Sequence, residues 1–219
     1  MGMRAAIFDL DGTLIHSAPD IQAAANTVLA AEGLAPLSLA ETIGFIGAGA
    51  GVFVDRMAAA RLPAPDPRRS RAMLAAFIDL YEGAVGLTQP YPGAVAALEA
   101  LEGNGWALGL VTNKPEAPAR AVLRHLGLTR FFRVVVGGDS LRVRKPDPAP
   151  LRHAMAALGA SRTVYVGDSE TDAATAEAAG VPFALYTEGY RLSPAAALPH
   201  AFAFADFGLL PGWLENPTG

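Results

Sequence analysis

The chain has 219 residues, of which 52% are hydrophobic, and it carries a formal net charge of −4 at pH 7. Such a length and composition predict one good-sized domain, or a core with a modest insertion, and exclude wholesale disorder. The mild negative charge argues against a general affinity for nucleic acid or membrane surfaces, and the absence of cysteine excludes disulfides and thiolate chemistry. Because we find no bilayer-length apolar run and no signal-peptide pattern, we expect a soluble, cytoplasmic protein.

The first predicted strand ends in acidic residues. Residues 5–10 are an apolar run typical of a buried parallel strand, from which Asp9 and Asp11 project to the same side. Open α/β sheets bind ligands at the C-terminal ends of their strands. Two acids there repel each other unless a cation lies between them, and oxygen ligands favour a hard ion such as Mg²⁺. A strand followed by an Asp-Gly turn explains the same stretch, so both interpretations stay open here.

The rest of the chain divides into a helical segment and an alternating segment. Capping residues and apolar spacing predict helices at 21–31, from Ser38 to about 46, at 52–62 and at 71–85. From residue 94 onward, helices alternate with apolar strands at 107–112, 134–136, 163–166, 183–185 and 202–204. This order predicts an α/β fold with a parallel sheet and right-handed crossovers. The core is expected at 1–15 and 88–219, with a helical insertion at 16–87.

Polar residues follow or flank the later strands as well: Thr112 and Asn113, Lys145, Asp168 and Asp172. Taken singly, each has an ordinary explanation as a helix cap or a solvated side chain. Lysine is nevertheless scarce, because Lys114 and Lys145 are the only two in the chain, against fifteen arginines. A lysine kept beside a Pro-Asp-Pro helix start suggests a specific need for a compact ammonium group.

In the order DxDGT, Thr, Lys and GDxxxD, these residues resemble the haloacid dehalogenase superfamily of phosphotransferases over nearly the whole chain. The resemblance implies a Rossmann-like parallel sheet with a four-helix cap at 16–87, inserted after the first strand. It implies that Asp9 is the nucleophile that becomes an aspartyl phosphate, and that Asp11 is the general acid and base. It also implies that Thr112 and Lys145 hold the phosphoryl oxygens, and that Mg²⁺ is bound by Asp9, Asp11, Asp168 and Asp172.

Further stretches resemble the phosphoglycolate phosphatases of that superfamily, namely residues 8–14, 17–21, 91–93, 112–115, 145–148 and 189–190. That resemblance implies a small phosphate ester as substrate, 2-phosphoglycolate, which is hydrolysed to glycolate. The candidate substrate-binding residues are Thr13, Asn113, Gly47, Gly49 and Arg56. The glycines precede a helix whose N-terminus suits a carboxylate. The loop alone favours a tight turn without a ligand, and the wider resemblance favours the carboxylate site. His16 replaces the aspartate that is usual at the cap hinge, and we expect it to be a hinge or packing residue.

Other activities stay open. Asp11 argues against the dehalogenase branch, and the lysine-free insertion excludes the phosphonate-cleaving branch. Sugar-phosphate phosphatases, phosphomutases and inorganic pyrophosphatases share the core motifs. A phospho-aspartate signalling module and a protein-binding member without turnover are alternatives of a different class, although every catalytic group is retained. We interpret Arg68, Arg69 and Arg71 as a solvated cluster, and we expect the C-terminal aromatic residues to pack on the core.

Overall fold

The computed structural model describes residues 2–216. Its strands, numbered along the chain, are β1 (Met3–Phe8), β2 (Ile15–His16), β3 (Gln89–Pro90), β4 (Ala107–Val111), β5 (Phe132–Val136), β6 (Ala160–Gly167), β7 (Phe183–Tyr186) and β8 (Phe202–Phe204). Six of them form one sheet in the order β5-β4-β1-β6-β7-β8, in which every neighbouring pair is parallel. Met1 and residues 217–219, which the predicted core range includes, lie outside this description.

The helices are α1 (Ala18–Ala31), α2 (Leu39–Phe45), α3 (Ala50–Arg61), α4 (Pro67–Tyr81), α5 (Ala94–Gly103), α6 (Glu116–His125), α7 (Ala149–Leu158), α8 (Glu170–Ala179) and α9 (Leu210–Glu215). Within residues 2–216, no helix combines the length and the apolar character needed to cross a membrane.

Strand β1 lies in the middle of the sheet because its side chains are apolar on both faces. Ala5 and Ile7 pack into one hydrophobic cluster, to which α7 and α8 contribute. Ala6 and Phe8 pack into the opposite cluster, which contains residues of α5, α6 and α9. All four side chains are fully buried. The predicted α/β fold, with a parallel sheet covered on both faces, is confirmed.

The position of β1 determines where a ligand can bind. It pairs with β4 on one side and with β6 on the other, so the C-terminal ends of these three strands are neighbours. The chain adds β5 beyond β4, and later adds β7 and β8 beyond β6. The reversal of strand order beside β1 opens a crevice of the kind in which doubly wound sheets bind ligands.

Helices α1 to α4 form a unit with a hydrophobic cluster of their own. The predicted capping box is present, with Ser38 and Glu41 bonding each other at the start of α2. Helix α4 begins four residues earlier than predicted, because the Asp66 side chain accepts hydrogen bonds from the backbone of Arg68 and Arg69 and caps it. Within the predicted solvated arginine cluster, Arg69 is partly exposed, and its guanidinium lies 2.5 Å from the Glu32 carboxylate.

A short antiparallel ribbon joins the helical unit to the sheet. Strands β2 and β3 pair Ile15 with Pro90 and His16 with Gln89, so both connecting segments run side by side. The buried carboxylate of Asp20 ties them further, accepting from the Thr88 backbone at 2.7 Å and the Thr88 hydroxyl at 2.6 Å. We did not predict this ribbon, since two-residue strands have no readable periodicity. It lies at the two boundaries expected for the insertion.

Candidate active site

The neighbouring strand ends bring the predicted acidic residues together. Asp9 follows β1, Asp168 follows β6, and Asp172 lies in the first turn of α8. All three are buried, and each offers a carboxylate oxygen within 4.8 Å of the others. A buried set of oxygen donors alone is the chemistry that a hard divalent cation prefers. The site therefore has the composition of a metal site for such an ion.

Lys145 inserts its ammonium group among these acids from the loop before α7. Its Nζ lies 2.8 Å from Asp9 Oδ1 and 2.7 Å from Asp172 Oδ1. It also donates to the Tyr165 hydroxyl at 2.9 Å. Burial alone lowers the pKa of Lys145, but the charges of Asp172 and Asp9 outweigh it and raise that pKa above its ordinary value. Lys145 is thus a fixed, permanently charged cation that donates hydrogen bonds to Asp172 and Tyr165 and forms an ion pair with Asp9.

The single positive charge of Lys145 does not balance the negative charges of the three buried carboxylates. Burial raises the pKa of Asp9 to about 7, although Lys145 opposes that rise. Burial, followed by the charges of Asp172 and Asp9, also raises the pKa of Asp168 well above its usual range. Both shifts have the same cause, which is a shortage of positive charge in a buried space. A second cation beside Asp9 and Asp168 would remove that shortage.

Asp172 is held by many donors. Its Oδ1 accepts from Lys145 and from the Tyr165 hydroxyl at 2.9 Å. Its Oδ2 accepts from the Ser169 hydroxyl at 2.6 Å and from the backbone of Asp168 and Ser169, both at 3.2 Å. The same contacts form the capping box of α8. With both oxygens engaged by protein donors, Asp172 orients Lys145 and the turn that carries Asp168.

Thr13 differs from its predicted substrate-binding role. It is fully buried, it does not line the pocket, and its hydroxyl donates to Asp168 Oδ1 at 2.6 Å. The other oxygen of Asp168 accepts from the Tyr190 backbone at 2.6 Å. Gly12 has a φ of +90°, and a Cβ there would lie 2.5 Å from Asp168 Oδ2. The DxDGT turn therefore supports Asp168, and Thr13 is part of that support.

A pocket of about 40 Å³ separates the strand ends from the helical unit. The sheet side contributes Asp9, Asp11, Thr112, Asn113, Lys114 and Lys145, and the helical side contributes Ile21, Ile46, Gly47, Gly49, Ala50, Phe53, Phe77 and Tyr81. Phe53 stacks on Phe77 at 5.2 Å, and Phe77 stacks on Tyr81 at 5.0 Å. The charged wall of the pocket thus faces an apolar, partly aromatic wall.

The glycine loop, residues 47–51, and Asn113 are in contact across this pocket. Asn113 Nδ2 donates to the Gly47 carbonyl at 2.9 Å and to the Lys145 carbonyl at 3.0 Å. A Cβ on Gly49 would lie 3.3 Å from the Asn113 carbonyl oxygen. Arg56, by contrast, is exposed, does not line the pocket, and donates to the Phe45 carbonyl at 3.1 Å. Arg56 supports the loop and lies away from the predicted substrate site.

Lys114 is a pocket residue to which we had assigned no role. Its Nζ donates to the Tyr81 hydroxyl at 2.6 Å and lies 4.0 Å from the centre of that ring. It also lies 3.4 Å from Asp11 Oδ1. The carboxylate of Asp11 therefore faces Lys114 and is not one of the clustered acids at the predicted metal site. Two signals in the sequence could have singled out Lys114, namely the scarcity of lysine and the resemblance of residues 112–115 to phosphoglycolate phosphatases.

A family model described as haloacid dehalogenase-like hydrolase matches residues 3–180. The chain belongs to the haloacid dehalogenase-like hydrolase family. This confirms the predicted membership and the prediction of an enzyme of the hydrolase class.

Relatives of this hydrolase are similar to it in sequence over nearly its full length. The phosphoglycolate phosphatase of Cereibacter sphaeroides (strain ATCC 17029 / ATH 2.4.9) is 53% identical over 215 residues, which are 98% of this chain and 99% of that protein. The phosphoglycolate phosphatase of Rhodospirillum rubrum is 47% identical over 221 residues and covers 98% of this chain and 92% of its own. The crystal structure of a predicted phosphoglycolate phosphatase from Haemophilus somnus 129pt matches with a TM-score of 0.90 at 30% identity, covering 95% and 96% of the two chains. The predicted resemblance to phosphoglycolate phosphatases is confirmed.

His16 of this hydrolase lies in the connecting ribbon, as expected of a hinge or packing residue. Its Nδ1 is 2.9 Å from the Tyr190 hydroxyl oxygen, which also accepts from the Ala18 backbone at 3.0 Å. Its ring packs against Tyr91 and Tyr190. Burial lowers the pKa of His16, which favours the neutral ring. His16 therefore joins the ribbon to the loop that supports Asp168.

The two lysines of this hydrolase should differ in their contribution to stability. Lys145→Met leaves Asp9 and Asp172 buried without their cation, and breaking a buried ion pair costs about 3–5 kcal/mol. Lys114→Met removes a cation whose carboxylate partner lies farther away, at 3.4 Å, so we expect the loss of about one charged hydrogen bond, roughly 1.5–3 kcal/mol. Urea unfolding in metal-free buffer at neutral pH measures both. A smaller loss for Lys145→Met than for Lys114→Met would contradict the charge balance described above.

Proposed function

We propose that the chain is a magnesium-dependent phosphatase that hydrolyses 2-phosphoglycolate to glycolate and phosphate through an aspartyl phosphate on Asp9. The observation that carries this proposal is the buried carboxylate of Asp9, ion-paired with Lys145 at 2.8 Å and grouped with two further acids at the end of β1. The phosphoglycolate phosphatases that are 53% and 47% identical to this chain support the choice of substrate.

Mg²⁺ would be held by Asp9, Asp168 and the backbone carbonyl of Asp11, with Asp172 as a further ligand or as support behind them. When bound, the ion supplies positive charge that offsets the phosphoryl oxygens and keeps Asp9 anionic. The fit rests on the oxygen-only donor set and on the unbalanced charge of the buried acids. Phosphate monoester hydrolysis needs acceleration of up to ~10²¹-fold, so positioning and charge must supply most of it.

In the proposed reaction, each residue of the site has a separate role. A carboxylate oxygen of Asp9 attacks phosphorus while the bond from phosphorus to the glycolate oxygen breaks. Asp11 gives its proton to that leaving oxygen, and then takes a proton from the water that attacks the aspartyl phosphate. The second attack releases phosphate and returns Asp9 as a carboxylate. The Thr112 hydroxyl and the Lys145 ammonium hold the phosphoryl oxygens through both steps.

The helical unit at 16–87 would act as a cap over the core at 1–15 and 88–219. Contacts between the two parts lie directly at the pocket, from Asn113 to Gly47 and from Lys114 to Tyr81. Together with the apolar wall, these contacts exclude water from the reacting phosphate. The β2–β3 ribbon is the connection about which such a cap would open. The cap also distinguishes the chain from phospho-aspartate signalling domains, because their fold has no such helical insertion.

The lining of the pocket favours a small substrate over a sugar phosphate. The cavity is about 40 Å³, and its cap side is formed mainly by aliphatic and aromatic side chains and glycines. A hexose phosphate would require several hydrogen-bonding partners for its hydroxyl groups. A two-carbon ester requires few. The same argument disfavours phosphomutases that act on sugars.

The roles of the two N-terminal acids can be separated by substitution. Asp9→Asn should abolish turnover because an amide is not a nucleophile at phosphorus. Asp11→Asn should lower kcat by roughly 10²–10⁴, the usual worth of a general acid–base group. Steady-state kinetics on variants with wild-type circular dichroism spectra measures both. A folded Asp9→Asn enzyme that keeps a tenth of the wild-type kcat would falsify the role of Asp9.

Metal dependence should follow the ionisation of Asp9. EDTA should stop activity and Mg²⁺ should restore it. Burial raises the pKa of Asp9 to about 7 in the metal-free protein. Below that pH the Asp9 carboxyl is mostly protonated, so it must lose its proton before it binds the metal. Mg²⁺ affinity, measured by calorimetry from about pH 5.5 to 8.5, should therefore rise with pH, because Asp9 and Asp168, whose pKa is raised as well, must both ionise before they bind the ion. Full activity in EDTA, or affinity independent of pH, would count against this metal site.

The substrate assignment is tested with a panel of phosphate esters. Values of kcat/KM are compared for 2-phosphoglycolate, hexose phosphates, pyrophosphate and a generic aryl phosphate. We expect 2-phosphoglycolate to be preferred, because the cap side of the pocket offers few hydrogen-bonding partners for sugar hydroxyl groups. If pyrophosphate or a hexose phosphate exceeds it by about tenfold, a difference of roughly 1.4 kcal/mol, the substrate is wrong and the phosphatase assignment survives. No turnover of any ester would instead favour a binding or signalling module.

A further inference from the structure

Two cations line the pocket, and their surroundings differ. The ammonium of Lys145 has three acceptors within 2.9 Å, which are Asp9, Asp172 and Tyr165. The two carboxylates hold Lys145 at the end of the pocket where Asp9 lies, which is the phosphoryl end in the proposed reaction. In that reaction Lys145 holds phosphoryl oxygens, so a second anionic group on the substrate needs another cation. The pocket lining contains one other cation, Lys114.

Lys114 is less completely paired. Among the residues that the structure describes, its Nζ has one short contact, 2.6 Å to the Tyr81 hydroxyl, and one long contact, 3.4 Å to Asp11 Oδ1. The side chain is 4% exposed, so water is largely excluded from it. A buried cation with a spare donor and one distant carboxylate gains much from a second anion.

The position of Lys114 relative to Asp11 identifies which part of a substrate it would meet. A general acid lies about 2.6–3.2 Å from the oxygen that it protonates, so the leaving oxygen lies beside Asp11. In the ester of an α-hydroxy acid, the carboxylate oxygens are about 3 Å from that oxygen. The 3.4 Å separation of Lys114 from Asp11 matches this spacing. The rest of the leaving-group side is formed mainly by apolar side chains and glycines.

We infer that Lys114 binds the carboxylate of the leaving group and makes the enzyme selective for phosphate esters of short α-hydroxy acids. This inference rests on the proposed phosphatase function and assigns its selectivity to a residue of the core. It replaces the expectation that Arg56 and the glycine loop receive the carboxylate. Tyr81 reaches Lys114 from the helical unit, and the centre of its ring lies 4.0 Å from the ammonium.

The rival explanation is that Lys114 serves only as a latch between core and cap, through Tyr81. A latch would affect every substrate alike, because closure precedes each reaction. A carboxylate subsite would affect only substrates that carry the carboxylate. The comparison must therefore use two esters that differ in this group alone, namely 2-phosphoglycolate and ethyl phosphate. Both need Asp11, so any effect of Lys114 on Asp11 cancels in the ratio of their kcat/KM values.

The experiment measures that ratio for the wild-type enzyme and for Lys114→Met, Tyr81→Phe and Arg56→Met. Lys114→Met should lower the preference for 2-phosphoglycolate by about 10- to 100-fold, the usual effect of losing a hydrogen bond between charged groups. The loss should lie mainly in KM. Tyr81→Phe keeps the ring beside the ammonium, and it should change the ratio by less than about threefold. Arg56→Met removes a cation outside the pocket and should leave the ratio unchanged. Lys114→Gln replaces Lys114→Met if the latter does not fold.

Each outcome decides the inference. An unchanged ratio in Lys114→Met, with a wild-type enzyme that prefers 2-phosphoglycolate, overturns the carboxylate subsite and leaves the proposed function standing. If the ratio falls in Arg56→Met but not in Lys114→Met, the substrate carboxylate binds at the cap, and the inference about Lys114 is also overturned. A Tyr81→Phe enzyme that loses as much selectivity as Lys114→Met overturns it, because the selectivity would then depend on the Tyr81 hydroxyl and not on the ammonium. A wild-type enzyme that hydrolyses neither ester overturns both the inference and the proposed function.

Discussion

The ammonium of Lys145 between Asp9 and Asp172 is the interaction on which the site depends. It joins groups from three parts of the chain, at 2.8 Å and 2.7 Å, in a space from which water is excluded. Without it, three buried carboxylates would repel one another, and at least one of them would take up a proton. With it, the space still lacks positive charge, as the raised pKa values of Asp9 and Asp168 indicate. The fold thus builds an anionic cluster that is ready for one further cation.

The central position of β1 makes this cluster possible. A strand that is apolar on both faces can lie in the middle of a sheet, so its C-terminal end adjoins the ends of β4 and β6. Asp9 is carried there by β1 and Asp168 by β6, while Thr112 follows β4. The two acids of the first strand end then receive different partners, because Asp9 faces Lys145 and Asp11 faces Lys114. In the proposed reaction, that difference separates a phosphoryl end of the pocket from a leaving-group end.

Much of this could be predicted from sequence, because the responsible signals are local. The apolar run before Asp9, the capping box at Ser38 and the alternation of strands and helices each depend on a few consecutive residues. Features that depend on distant pairing could not be predicted in this way. Lys114 meets Asp11 across 103 positions, and Thr13 meets Asp168 across 155. The early start of α4 was missed for a different reason, since Pro67 belongs to a proline-rich stretch that resembles a connector, and only the Asp66 cap makes it a helix start.

The proposed mechanism requires Asp9 to carry the phosphoryl group. The most direct measurement is mass spectrometry of Asp11→Asn enzyme that is quenched in acid during turnover of an activated aryl phosphate. A good leaving group needs little help from a general acid, so the first step should proceed while hydrolysis of the intermediate is slow. The account predicts one added phosphoryl group on the peptide that contains Asp9, and none when Asp9→Asn is added to the same variant. A phosphoryl group on another residue would contradict the account, as would continued turnover without any phosphorylated enzyme.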